Sequence, residues 1–534
     1  MKKFFTLVAF ALSSLTMMAT DYQDNLKIVI NGKTVSEDKS TINVDKQDDG
    51  KYTLSLKNFQ FKLEGVNTKV GNIVLKDVDA VGNGVTTMLK TSQKIKITKG
   101  DGIGWLGPAL GNVPVNMIGE LRDGSFYTTI SIYMATLKQN IEVTFGTAGY
   151  QIPNSDFEAF HNEKGQTTKL KEGSEDDYDY IDFDIPEPNH WHSFGSASGD
   201  LVGVVKMNKQ SDMSEDVREG STGKKCVKVV SALEFSYIPA NGTLTTGQLQ
   251  ASGMSPESTD NCAFLDLTNE DKDANGDPFY VTLTSKPDAI KFWARFKQGT
   301  LEDPSNKYAS VNAVITDGTR FQDPQDKEYT NIVAMATNKK IESKDFTWQE
   351  VTVPFDYKTY ADNNVMPKAI LVTLSTNSVP GAASTDAANP DELYIDDLSL
   401  VYNAGIKSVK VKGTELTDEA GDHIYRTSVN GAITASDVVV ESDGAGAYIT
   451  KTFTEENGGV TVDVTITSND LKTENTYKIY ITGATSGINH TTVNLPNGIQ
   501  AIYNLAGQQV SSMTSGNVYI VKTTDGKTKK VIKK

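Results

Sequence analysis

The segment NHWHSF sets His190 and His192 two residues apart around Trp191. Along a strand, residues i and i+2 point the same way, so both imidazoles could face one metal ion. Zinc takes three or four nitrogen, sulfur or carboxylate ligands. The neighbouring sequence supplies no evident third, which argues against zinc. The loop DKDANGD places Asp271, Asp273 and Asn275 at alternate positions with Gly276 behind them, the first half of an EF-hand loop. Its twelfth position is Thr282 rather than a bidentate Glu, and its flanks read as strands, so a hairpin tip is the better reading. GDGIGWLG carries Gly102, Gly104 and Gly107 at G-x-G-x-x-G spacing. A dinucleotide site also needs a strand before this motif and a helix after it to hold the pyrophosphate. Pro108, Gly111 and Pro114 follow instead, so the segment reads as a loop between strands, with Trp105 either capping a barrel mouth or exposed. GSASG has Ala197 where a nucleophile elbow needs Ser. With five His in the chain, no Ser–His–Asp or Cys–His pattern can be defended. A carboxylate pair for glycoside hydrolysis needs no motif, since any two acidic residues can converge in space.

The elements that must carry these residues are almost all strands. Over residues 26–147 the sequence alternates with period two: Tyr52, Leu54 and Leu56; Ile73 and Leu75; Ile95 and Ile97; Ile130 and Ile132; Ile141, Val143 and Phe145. Asn31-Gly32, Asp49-Gly50 and Asp123-Gly124 punctuate these runs as turns. A meander of short strands with one buried face makes a barrel or a strongly curved sheet. Residues 161–189 include EGSEDDYDYIDFDIPEPN, a run of carboxylates with interleaved Tyr and Ile, which reads as a solvated linker or edge between domains. Carboxylates spread along an extended run do not by themselves converge on one cation. Farther on, PDAIKFWARFKQG alternates strictly, with Ile290, Phe292, Ala294 and Phe296 on the core face and Lys291, Trp293, Arg295 and Lys297 opposite. Trp348, before Val351 and Val353, reads as core. Residues 403–483 supply short strands at the spacing of an Ig-like sandwich, a spacer type of unit.

GKYTLSLKNF and VGNIVLKDV, within residues 22–147, resemble the calycin-like β-barrel domains of secreted Bacteroidetes proteins. That resemblance implies a small apolar ligand inside the barrel. Residues 151–402 resemble the jelly-roll modules of the galactose-binding-like and carbohydrate-binding type. NHWHSFGSASG, GSTGKKCVKV, FWARFK and WQEVTVPFDY are more closely similar to the "putative carbohydrate metabolism domain" of gut Bacteroidetes. Such modules stack aromatic faces on pyranose rings and orient them with a few polar groups. The resemblance makes Trp293 with Arg295 the first carbohydrate-binding candidates, and Trp191 with His192 the second; packing under a loop is the competing reading for both tryptophans. It also implies a structural Ca²⁺ between an early N-x-x-F-E segment, here Asp156 and Glu158, and a closing strand, here Asp396 and Asp397.

The chain opens MKKFFTLVAFALSSLTMMAT, with a positive start, a short apolar core and small residues up to Ala19, the layout of a secretory signal peptide over residues 1–19. The apolar run is shorter than the ~20 residues a bilayer span needs, and no transmembrane segment is expected in the mature chain. Residues 498–534, with IYNLAGQQV and NVYIVK, resemble the C-terminal sorting domains of Bacteroidetes. The formal net charge is −16, which repels nucleic acid and anionic membranes. Two cysteines, Cys226 and Cys262, are either a disulfide or two buried thiols. The expected molecule is therefore all-β: an N-terminal calycin-like barrel, a central jelly-roll sandwich, an Ig-like sandwich and a small C-terminal β segment. It is expected to be exported, to the periplasm, the outer-membrane surface or the medium, and to bind a glycan without catalysis. The alternatives are a glycoside-acting enzyme, or an adhesin whose barrel holds a small apolar ligand.

Overall fold

The structure is a computed structural model. It describes residues 19–63, 65–135, 138–174, 177–418, 420–456, 458–486, 499–504, 518–523 and 528–532. The expected signal peptide, apart from residue 19, and the turn containing Gly507 lie outside the described residues. The chain is nearly all β. Among the described residues no helix is long and apolar enough to cross a membrane.

Eight antiparallel strands close into a barrel: β1 (Thr20–Ile30), β2 (Lys33–Lys46), β3 (Tyr52–Leu63), β4 (Val66–Gly82), β5 (Thr87–Lys96), β6 (Asn112–Arg122), β7 (Ser125–Met134) and β8 (Gln139–Phe145). Closure comes from β1 pairing β8, with Leu26 opposite Phe145 and Ile28 opposite Val143. The alternating set read from the sequence is the interior set. Leu54, Leu75, Ile95, Ile97 and Phe145 are buried, and Tyr52, Leu56, Ile73, Ile130, Ile132, Ile141 and Val143 pack against them. A sheet with one apolar face can hide that face by curling on itself, and closure does so here. Asn31 and Gly32 both take positive φ, 49° and 80°, as a two-residue hairpin turn demands. The 101–111 segment is a loop ending in one short 3-10 turn, Gly107–Leu110; Trp105 Nε1 donates to the Asp101 carbonyl at 3.2 Å.

The acidic run is not a linker. β9 (Phe160–Leu170) and β10 (Tyr178–Pro188) form a two-stranded antiparallel hairpin, in register from Phe160–Pro188 to Leu170–Tyr178. Its tip is solvated and its base is buried: Tyr180 is exposed, while Ile185 and Glu187 are not.

The central unit is a sandwich. One sheet orders Ser211–Ser214, Cys226–Val230, Glu392–Val401, Ala289–Lys297 and Gln349–Pro354. The other orders Thr243–Thr245, Ala369–Ser375, Ala309–Thr316 and Ile332–Ile341, with Val281–Thr282 beside Ala369–Ser375. Ile290, Phe292, Ala294 and Phe296 from the first sheet meet Val311, Ala313, Ile315, Val372 and Leu374 from the second, all essentially inaccessible. A third sheet, Gln248–Gln250, Cys262–Leu265 and Phe321–Asp323, lies over part of the second sheet's other face, where Leu249, Leu265 and Phe321 pack on Val314 and Leu371. Cys226 and Cys262 are separate buried thiols.

Two further sheets follow: Thr414–Leu416, Ile406–Val411 and Val438–Ser442; and Ile424–Ile433, Glu474–Ser486, Gly459–Thr467 and Tyr448–Glu456, packed around Val409, Val462 and Ile479. Ile424–Ile433 runs parallel to Glu474–Ser486. Ile499–Asn504, Val518–Thr523 and Thr528–Ile532 make a small antiparallel sheet at the C-terminus.

Candidate functional site

In the central sandwich's second sheet, the strands spend every other residue on the core. Over one part of the sheet the intervening residues are polar, Ser310 and Asn312, Thr373 and Ser375, Thr337 and Lys339, and Thr243, while Val314 and Leu371 take such positions under the third sheet. Register aligns the polar residues into rows. Asn312 lies opposite Thr373 on one side and Thr337 on the other, and Ser375 lies opposite both Ser310 and Thr243. Thr337 Oγ1 donates to Asn312 Oδ1 at 2.7 Å. These rows are the floor of a cleft of about 550 Å³. Apolar side chains form its walls, among them Phe194, Leu201, Phe235, Ile238, Met254 and Met335. A hairpin, Ala232–Glu234 and Ile238–Ala240, brings Phe235 to the rim, about half exposed, beside exposed Tyr237.

Two carboxyls also line the cleft, Glu234 and Asp323. Glu234 is buried and accepts from Asn208 Nδ2 at 2.9 Å and Gln210 Nε2 at 3.1 Å. Burial outweighs these bonds and pushes its pKa up to about 7. Burial also raises Asp323, against the opposing pull of Asn312 and Thr373. Neutral, oriented hydroxyl and amide groups between apolar walls suit a ligand rich in hydroxyls with apolar ring faces.

The residues expected at the site lie elsewhere. Trp293 is on the outer face of the first sheet, as its alternation requires, but the Arg218 guanidinium sits 4.8 Å from its ring, held by an ion pair to Asp397. Arg295 is enclosed by Phe346, Trp348 and Tyr394, with ring centroids 4.4, 5.3 and 4.4 Å away, and bonds Asp216 at 2.6 Å. Trp191 and His192 are corrections to the expected sugar surface, because both are fully buried. Trp191 packs on Phe157 in the main core and donates to the Pro153 carbonyl, and His192 lies against Phe279. The two segments expected to hold calcium meet, with the Leu398 amide donating to the Ser155 carbonyl at 2.8 Å, and two of their carboxylates already have protein partners. Glu158 accepts from the Lys224 and Lys225 amides, Asp397 is paired with Arg218, Asp156 is exposed and Asp396 is buried. Trp348 is half-buried on the outer face rather than in the core. The floor of the cleft was detectable as Ser and Thr in ASVNAVIT and AILVTLS, opposite an unbroken apolar set. Apart from Met335 on the strand Ile332–Ile341 and Ile238 on the rim hairpin, the named wall residues come from segments with no periodic signal.

Among protein families, the model of the calycin-like β-barrel domain matches residues 18–148. No curated protein matches the chain. Two solved structures are similar in part. One, a "putative glycoside hydrolase" from Bacteroides vulgatus ATCC 8482, is 16% identical over 46% of this chain and 97% of its own, at a TM-score of 0.25. The other, a "putative glycoside hydrolase" from Bacteroides thetaiotaomicron VPI-5482, is 12% identical over 55% of this chain and 87% of its own, at a TM-score of 0.27.

Proposed function

We propose that this is an exported, multi-domain β protein that binds a glycan in the cleft of its central sandwich and does not cleave it. The observation that carries this reading is the floor itself: Thr373, Asn312 and Thr337 stand in one cross-strand row between apolar walls. Each can donate and accept, and none carries charge, which fits sugar hydroxyls. The rim aromatics Phe235 and Tyr237 offer ring faces for the apolar side of a pyranose. A glycan array on the mature chain, followed by calorimetry on the best ligand, tests it. Asn312→Ala and Phe235→Ala are each expected to weaken binding about 5–100-fold, at ~1–3 kcal/mol for a central contact. Unchanged affinity in both variants removes the cleft as the binding site.

A second reading, hydrolysis, is favoured by one observation: Glu234 and Asp323 both line the cleft with raised pKa values. A carboxyl kept protonated near neutral pH is what a general acid needs. Glycosidase activity on a bound glycan, abolished by Glu234→Gln and by Asp323→Asn, would establish catalysis. Binding without turnover leaves the cleft a recognition site.

A further inference from the structure

Away from the cleft, the buried base of the β9–β10 hairpin gathers five side chains from four parts of the chain. His161 and Glu163 stand two apart on β9, on one face, and Glu187 is the cross-strand partner of His161 on β10. Asp273 comes from the 271–277 loop and His192 from the segment after β10. The ligand atoms of His161, Glu163 and Glu187 all lie within 4.8 Å of one another. His161 Nε2 is 3.6 Å from Glu163 Oε1, 3.9 Å from Glu187 Oε2 and 3.4 Å from Asp273 Oδ2. His192 Nδ1 is 3.6 Å from that same Asp273 oxygen. All five side chains are buried or nearly so: Glu187, Asp273 and His192 are wholly inaccessible and His161 is 8% exposed.

What each residue does with its second polar atom is the informative part. His161 Nδ1 donates to Asn189 Oδ1 at 3.2 Å, which leaves Nε2 to face inward. Glu187 Oε1 accepts from the Ser193 amide, the Ser193 hydroxyl and the Ser196 amide, while Oε2 faces inward with no hydrogen bond. Asp273 Oδ1 accepts from the Asp277 amide at 2.7 Å, while Oδ2 faces inward with no hydrogen bond. Glu163 Oε1 accepts from the Ala274 amide, which ties the loop to the hairpin. In His161, Glu187 and Asp273 one atom is anchored by an outer partner and the other is left for the centre, which is how proteins orient metal ligands. Gaps of 3.4–3.9 Å are too long for hydrogen bonds. The 3.4 and 3.6 Å gaps fall within the ligand–ligand edges of about 3.3–3.6 Å that metal bonds of ~2.0–2.2 Å subtend in a tetrahedron, and the 3.9 Å gap to Glu187 is slightly longer. Three carboxylates packed in a dry interior repel one another, and a divalent ion offsets that repulsion.

We propose that His161, Glu163 and Glu187, with Asp273 and His192 adjoining, hold a divalent transition-metal ion of the zinc type in a closed, structural site. The ion pins the 271–277 loop onto the base of the β9–β10 hairpin. Mixed imidazole and carboxylate donors suit zinc and its neighbours better than calcium, which prefers oxygen alone. Full burial leaves no open coordination position for substrate, so the role is structural.

The test uses the full mature chain, stripped by chelator and dialysed. Zinc is then added, and bound metal is measured by elemental analysis alongside the melting temperature. One equivalent of zinc is expected to be retained, with a melting temperature several degrees higher, because an ion bound only to the native state stabilises it by mass action. His161→Ala and Glu163→Gln should each weaken zinc retention 10-fold or more. Cobalt provides a readout that does not depend on how the variants fold: the wild-type chain should develop visible ligand-field bands that zinc bleaches. If the folded wild type binds neither zinc nor cobalt stoichiometrically and melts identically with zinc or chelator, the cluster is a buried ion-pair network and the proposal fails. If calcium binds through these residues and zinc does not, the transition-metal assignment fails.

Discussion

At the scale of single residues, Glu234 shows how burial turns a carboxyl into a pH-sensitive element. It is 6% exposed, and its folded pKa of about 7 lies above the ordinary carboxylate value because desolvation outweighs the bonds from Asn208 and Gln210. Between these two pKa values the folded state binds more protons than the unfolded chain. Stability attributable to this group is therefore greatest at low pH and is lost as pH rises from about 4.5 to about 7. Glu234→Gln keeps the shape and removes the charge. The variant should match wild type near pH 5 and exceed it at pH 8, by at most about 3 kcal/mol. Denaturant unfolding at both pH values measures the difference, and an equal gap at both would show that Glu234 does not titrate on folding. None of this was legible in ALEF, where Glu234 looks like any surface carboxylate. In the fold it is buried beside Asn208 and Gln210, more than twenty residues earlier in the sequence. Asn312, by contrast, was legible to a degree, since ASVNAVIT sets it opposite a fully apolar face.

At the scale of elements, the strand Ala289–Lys297 separates what alternation fixes from what it leaves open. Phe292 and Phe296 are core as the pattern requires, and Trp293 and Arg295 are on the opposite face. Alternation says nothing about what covers that face. Arg218 and the trio of Phe346, Trp348 and Tyr394 do so, from segments far away in the sequence. The indole and the guanidinium that looked available for a sugar are thus committed to each other's neighbours. Trp293→Ala removes a cation–π contact worth ~0.5–2 kcal/mol together with some apolar cover, and should lower stability by about 1–2 kcal/mol. Glycan affinity should stay within about twofold of wild type if the cleft on the other sheet is the site. A large loss of affinity at unchanged stability would return the binding surface to this face. The β9–β10 hairpin teaches the complementary lesson. DDYDYIDFDIPEP looked like a linker because charge dominates its composition, but Ile181, Phe183 and Ile185 alternate with Asp182 and Asp184. A two-stranded ribbon needs only its base buried, so a mostly solvated sequence can still be a strand pair.

At the scale of the whole molecule, a single carboxylate joins three units. Glu120 on β6 of the barrel is fully buried. Its Oε2 accepts from Arg122 Nε at 2.7 Å and from the Tyr150 hydroxyl at 2.9 Å, where the chain leaves the barrel. Its Oε1 accepts from Thr86 at 2.8 Å and, from the unit after residue 403, from the Tyr448 hydroxyl at 2.5 Å and Asn469 Nδ2 at 3.2 Å. Asn469 in turn accepts from the Lys286 amide of the central sandwich at 2.8 Å. Tyr448 and Asn469 stand 328 and 349 residues from Glu120, so no local pattern in the sequence could disclose the junction. The barrel's own alternation, by contrast, was readable because it is local to each strand, and every strand pairing but the closing β1–β8 one joins consecutive strands. Removing one partner of a buried ionic network costs more than a surface contact, since the groups left behind stay desolvated. Glu120→Ala removes the counter-charge of the Arg122 guanidinium, which keeps the Thr147 and Ala148 carbonyls, and the shared acceptor of the Tyr448 and Tyr150 hydroxyls and the Asn469 amide. It should destabilise the assembly by about 3–5 kcal/mol. The loss should fall on the coupling between units rather than on their separate cores, because Leu89, Phe292 and Val462 are untouched by it. Calorimetry of the full chain should therefore show the barrel melting apart from the remainder in the variant, with the wild-type transitions closer together. Superimposable thermograms would mean that the junction's hydrogen bonds add no coupling, and that the three units are merely adjacent.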